Sequence, residues 1–371
     1  PGNRGLSMNT AAGSASSRLL SLDAFRGFTI AGMLFVNNPG TWNPEIVPSQ
    51  LMHAEWNGCT FADLIFPFFL FIVGAAMPIS FARRKDADAW SGIMKAARRA
   101  LVLYLLGAFL KSVSINEPVL HFGILQRIGI LYFAAYLLLP FGTKIQAAVA
   151  IALLFVWWGL MAFVSAPGVI TGSFVRDVNI AQYIDSFILA PNDKETIVSM
   201  IPGLSTVLFG VLTGKMILNR KDHRSVVRNL LIAGGAGIVI GLLWNIVVPL
   251  NKILWTSSFA VYTAGWSSLV FALFYWAIEV RGFSKAAFPF IVYGMNAIAL
   301  YVGTGLFVRW IMLSWQVPYQ GAMTSLTGFF YKSFASFAGP VIGSLMYSLL
   351  IVGIGWLFCY WLYHKKIFLK V

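Results

Sequence analysis

Apolar residues run along this chain in long unbroken stretches, separated by short polar clusters, and those stretches decide the fold class. Each is long enough to cross a hydrocarbon layer of roughly 30 Å as a helix, whereas membrane-spanning strands would alternate over segments of about ten residues. The runs predict about ten spans, at 22–38, 61–81, 99–113, 123–140, 147–164, 200–217, 230–250, 259–280, 289–313 and 339–363. The pattern therefore predicts an all-α polytopic membrane helix bundle, a single domain over residues 18–371. Residues 1–17 are expected to be disordered, with Pro1–Ser7 reading as residues placed ahead of a start at Met8. The first span has no small-residue cleavage site after it and reads as an uncleaved anchor.

Composition agrees: 58% of residues are hydrophobic, 11% are charged, and the mean hydropathy is +0.77. The net charge of +14 changes the picture more, because Lys and Arg collect in the loops that stay in the cytoplasm. Most of the 27 basic residues fall on one side if the N-terminus is inside, which places both termini in the cytoplasm. Membrane orientation and lipid head groups then account for the charge, and nucleic acid is not needed to explain it. The loop Asn38–Thr60 lies on the outer side in this scheme. Cys59 and Cys359 lie at opposite ends of the bundle and are not expected to pair.

The segment LMHAEWNGCTFADLIFPFFLFIVG, 51–74, holds the most chemistry. His53 is a candidate general base, since imidazole exchanges protons near neutral pH. Asp63 follows inside the start of the second span, where a carboxylate is a functional candidate by default. It could orient His53, hold a polar ligand, or pair with a neighbouring helix. Asn37 offers an amide to charge developing on a carbonyl oxygen, while Asn38 reads as a helix cap. Trp42 and Trp56 suit stacking on a sugar ring, although interfacial tryptophans are common.

A second constellation sits on the inner side. Arg18, Arg26, Arg84, Arg98 and Arg99, with Lys365 and Lys366, could hold a polyphosphate, or could serve only orientation and lipid contact. Asp23 and Arg26 are spaced as a helical ion pair. Gly234, Gly235, Gly237 and Gly241 lie within an apolar run and predict close helix packing, not a phosphate loop. His121, His223 and His364 have no ligand spacing, so no metal is expected. The long outer loops, 165–199 and 314–338, read as connectors with interfacial aromatics that could roof a site.

The stretches LLSLDAFRGFTIAGMLFVNNPG, HAEWNGCTFADLIFPFFLFIVG, LQRIGILYF, NKILWTSSFAVYTAG and FIVYGMNAIALYVG resemble, in order, the transmembrane heparan-α-glucosaminide N-acetyltransferase family. The likeness is closest to its bacterial inner-membrane members. It implies transfer of acetyl from cytoplasmic acetyl-CoA to the amino group of glucosamine, or of a terminal glucosaminide, at the periplasmic face. His53 takes the place of the family's active-site histidine, Asn37 of its nearby asparagine, and Arg18 of the basic residue before LDxxRG. With that frame, Glu55, Trp56, Asn57 and Asp63 are expected to hold the sugar, Trp42 to flank it, and Gln126 and Arg127 to support it. The family also suggests a homodimer. Nothing ahead of Arg18 matches the large domain of the animal enzymes, so a long polysaccharide acceptor is not assumed. An amino-sugar permease and an O-acyltransferase of the wider superfamily are the alternatives, as is an acetyl-histidine route for the transfer.

Overall fold

The computed structural model describes residues 19–82, 88–118, 122–187 and 197–368. Among the described residues the chain is a bundle of helices with one small hairpin, and a helix lies at each predicted span. The first half runs α1 (Leu20–Asn37), α2 (Phe61–Ala82), α3 (Ala89–Ile115), α4 (Ile124–Leu138), α5 (Thr143–Phe163) and the short α6 (Ile180–Asp185). The second half continues with α7 (Met200–Leu218), α8 (His223–Asn245), α9 (Ser257–Tyr275), α10 (Phe288–Met295), α11 (Ala297–Phe307), α12 (Leu326–Ala338) and α13 (Pro340–His364). Among the described residues six helices are long and apolar enough to cross a membrane: α2, α5, α7, α8, α13 and α9 with its π-helical extension to Val280. A seventh crossing results if α10 and α11 count as one span.

Two elements depart from the expected pattern. The span predicted at 289–313 is broken at Asn296, where α10 and α11 meet at 82°. The apolar run continues through the break, so hydropathy alone reads it as one helix. The segment 314–338, expected to be a connector, forms a hairpin of β1 (Gln316–Tyr319) and β2 (Ala322–Ser325) followed by α12. No residue of α12 is buried, and Phe330 packs edge-on against Phe329. An aromatic helix of that kind suits a bilayer interface.

Close helix approach depends on small residues, as the glycine-rich run predicts. At Gly237 of α8 a Cβ would lie 2.9 Å from Gly265 Cα of α9. At Gly294 of α10 it would lie 1.9 Å from the Asp23 carbonyl oxygen of α1. These contacts bring backbones together where larger side chains would hold them apart. The largest buried cluster draws on α2, α4, α7 and α9, with Phe66 edge-on to Trp255. Cys59 and Cys359 are both free thiols, as expected.

Candidate active site

The loop between α1 and α2 ends by folding over the first turn of α2. Asp63 on that turn is 1% exposed in its side chain, and its charge favours the helix N-terminus. Its Oδ2 accepts from the backbone N–H groups of Ala54 and Thr60, each at 3.1 Å, and lies 3.0 Å from the Thr60 hydroxyl. Its Oδ1 lies 2.8 Å from His53 Nδ1. A buried carboxylate so placed takes the Nδ1–H, fixing the tautomer whose Nε2 lone pair is open. The ring itself is half-exposed, at 51%. Thus His53 combines a fixed orientation with access from outside the bundle.

A third group completes the cluster, and it was not among the sequence candidates. Lys252, on the turn between α8 and α9, places Nζ 3.5 Å from Asp63 Oδ1 and 3.1 and 3.4 Å from the two ring nitrogens of His53. The turn that presents it is buried and self-bonded. Thr256 Oγ1 donates to the Pro249 carbonyl at 2.8 Å and accepts from Asn251 N–H at 3.1 Å. Trp255 takes a left-handed backbone, with φ of 50°. One sequence signal could have found Lys252: on the orientation rule it is among the few cations left on the side poor in basic residues.

Asn37, His53 and Lys252 line a pocket of about 70 Å³ whose remaining wall is mostly apolar, with Met33, Ile65 and Phe66 among its residues. Behind it, toward the opposite end of the bundle, a cavity of about 510 Å³ is lined by Arg26, Lys95, Arg99, Tyr132 and Tyr136. The two share Phe69, Leu125, Ile128, Ala297 and Ile298 as common walls. They therefore abut at an apolar collar between a basic end and the imidazole.

Of the basic residues expected at that end, Arg26 and Arg99 line the larger cavity. Arg26 bonds to Asp23 at 3.0 Å, the ion pair expected from spacing, and to the Gly294 carbonyl at 3.2 Å beside the helix break. Arg99 lies 4.7 Å over the Tyr132 ring. Arg98, Lys365 and Lys366 are exposed and are not among the lining residues. Arg18 and Arg84 lie outside the described residues, as does His121.

The other candidates are scattered. Trp56 donates its indole N–H to the Phe174 carbonyl at 2.7 Å and is covered by Arg176, 4.9 Å above the ring. Arg176 also donates to the Glu55 carbonyl. The loop after α5 thus braces the His53 loop. Asn57 accepts from Asn251 at 3.2 Å, linking that loop to the Lys252 turn. Gln126 and Arg127 are 1% and 2% exposed. Gln126 accepts from Gly123 N–H at the start of α4, and neither residue lines the His53 pocket. Trp42 is 62% exposed, and Asn38 caps α1 by donating to the Leu34 carbonyl at 2.8 Å. No group of three or more metal-ligating side chains occurs among the described residues.

Residues 18–241 match the model of the heparan-alpha-glucosaminide N-acetyltransferase catalytic family. Heparan-alpha-glucosaminide N-acetyltransferase from Mus musculus is 23% identical over 96% of this chain and 61% of the mouse protein. The Homo sapiens protein of the same name is 26% identical over 95% of this chain and 60% of its own length. The chain thus spans about three fifths of the length of these relatives. With the family match covering more than half of its residues, including the His53, Asp63, Arg26 and Arg99 positions, this membrane protein belongs to the heparan-alpha-glucosaminide N-acetyltransferase catalytic family.

Proposed function

We propose that the chain is an N-acetyltransferase that carries acetyl from acetyl-CoA at the basic end to an amino sugar at the His53 end. The observation that carries the reading is the pair of abutting cavities, basic at one end and closed by an oriented imidazole at the other. Arg26, Lys95 and Arg99 supply cations for the anionic nucleotide, and the apolar collar suits a slender thioester arm. Lys and Arg distribution supports a cytoplasmic basic end and an outward-facing His53 end, and the family resemblance favours a bacterial inner membrane with His53 at its periplasmic side.

The acceptor, glucosamine or a terminal glucosaminide, reaches His53 from its exposed side. Its amine loses a proton to Nε2 as nitrogen attacks the thioester carbonyl. The C–N bond forms, the C–S bond breaks, and the proton passes to the departing thiolate. Asp63 holds the ring in the tautomer this requires. Trp56 and Asn57 serve chiefly to brace the loop in this reading, while Asn37 faces the reacting carbonyl.

Purified protein given acetyl-CoA and glucosamine is expected to yield N-acetylglucosamine. His53→Ala should lower turnover by about 10²–10⁴-fold with fold and acetyl-CoA affinity retained. Retained turnover in that variant ends the assignment of His53. The bend between α10 and α11 also suits a permease, since discontinuous helices form transport sites. Vesicles loaded with acetyl-CoA distinguish the two: acetylated sugar outside supports transfer, and unmodified sugar inside supports transport.

A further inference from the structure

We infer that Lys252 is a catalytic residue whose ammonium stabilises the negative charge that forms on the thioester carbonyl oxygen. The inference rests on the acetyl-transfer reading above and adds a group to it. Lys252 Nζ lies at nearly equal distances, 3.1 and 3.4 Å, from the two ring nitrogens of His53. An in-line hydrogen bond to one nitrogen would put the other much farther away, so the ammonium sits over the face of the ring. The Nε2 lone pair therefore stays open to the amine.

A counter-ion role for Asp63 explains less. That carboxylate already receives His53 and two backbone N–H groups, with the Thr60 hydroxyl 3.0 Å away. Lys252 stands at a longer 3.5 Å, with its side chain 15% exposed and on the wall of the His53 pocket. An ammonium carries three N–H donors, so contact with Asp63 leaves donors for the cavity.

The charges balance through the reaction. Before attack, Asp63 and Lys252 offset one another beside a neutral ring and a neutral thioester. When nitrogen bonds to the carbonyl carbon, the carbonyl electrons move to oxygen and the amine proton moves to Nε2. An anion and an imidazolium then form together, and the fixed ammonium lies within reach of that anion. On collapse the oxygen returns its electrons, sulfur leaves with the C–S electrons, and His53 hands sulfur the proton. A preorganised donor acts most on a charge that exists only in the transition state. Asn37, on the same pocket wall, is the second donor.

The test compares Lys252→Met, which keeps length and removes charge, with Lys252→Arg, which keeps charge. Acetylation of glucosamine is read by mass spectrometry, and acetyl-CoA binding and thermal melting are measured on the same detergent samples. Loss of one such donor is expected to lower kcat about 10²–10³-fold in the Met variant, with both KM values within about threefold of the parent. The Arg variant should keep at least a tenfold higher kcat than the Met variant. A Met variant as active as the parent, a loss confined to KM, or an Arg variant no better than Met would each overturn the role. If the Met variant fails to fold, a folded Arg variant must keep kcat within about tenfold of the parent, and a larger loss overturns it. Absence of N-acetylglucosamine from the unaltered protein would instead remove the acetyl-transfer reading, and this inference with it.

Discussion

Neighbouring residues at this site answer to different rules. Arg98 and Arg99 are adjacent in sequence, yet only Arg99 turns into the large cavity. A cation bonding a phosphate contributes about 1.5–3 kcal/mol, so Arg99→Ala should raise the KM for acetyl-CoA by about ten- to a hundredfold. Arg98→Ala should leave it within about twofold, and equal effects would place the nucleotide elsewhere. Sequence could not separate the pair, because one step along a helix rotates a side chain by roughly 100° toward a cavity that only tertiary packing creates. His53 and Asp63 were legible for the opposite reason: ten residues of local loop join them. Lys252 reaches the same ring across 199 residues of chain.

Cys59, in the loop just before α2, gives a residue-scale pH prediction. Burial pushes its thiol up to about 12 from the ordinary 9.0, the Asp63 charge adds to the shift, and Lys252 opposes it. Folding therefore favours the protonated thiol. The contribution to stability is full below pH 9 and is lost as pH rises from about 9 toward 12. At pH 8 the thiolate fraction falls by about a thousandfold relative to a free cysteine, so alkylation of native protein should be correspondingly slow. Rapid labelling at pH 8 would contradict this packing of the loop beside the Asp63 network.

Among elements, the turn joining α8 to α9 matters more than its length suggests. Thr256 is fully buried and its hydroxyl satisfies the Pro249 carbonyl and the Asn251 N–H. Thr256→Ala removes the partner of the buried Asn251 N–H and of the half-buried Pro249 carbonyl, at a cost of about 1–3 kcal/mol. The apparent melting temperature in detergent should fall, and turnover should fall further than the loss of folded protein explains, because the turn carries Lys252. Thr256→Ser keeps the hydroxyl and should restore both. Normal turnover in the alanine variant would show that Lys252 is placed by something else. The helices flanking this turn were readable from hydropathy. The break at Asn296 was not, since apolar residues continue through it, and the β1–β2 hairpin was hidden by its brevity and by interfacial aromatics that read equally well as a loop.

At the scale of the whole molecule, charge distribution made two chemically distinct ends visible in the sequence, but not the path between them. Between those ends α2, α4 and α11 meet at Phe69, Leu125, Ile128, Ala297 and Ile298, where the outer pocket and the basic cavity share walls. If acetyl-CoA reaches His53 through this collar, narrowing it should obstruct a donor from the basic end and spare one arriving from the exposed side of His53. Ile298→Trp supplies the narrowing at a half-buried position on the wall that the two cavities share. The variant is expected to lose at least about tenfold in kcat/KM for acetyl-CoA, the loss expected when a near-attack geometry is displaced by about an ångström or more. A small acetyl thioester lacking the nucleotide, such as S-acetyl-N-acetylcysteamine, should acetylate glucosamine equally in parent and variant. Equal losses with both donors would mean that the tryptophan damaged the site itself, and no loss with either would mean that acetyl enters by another route.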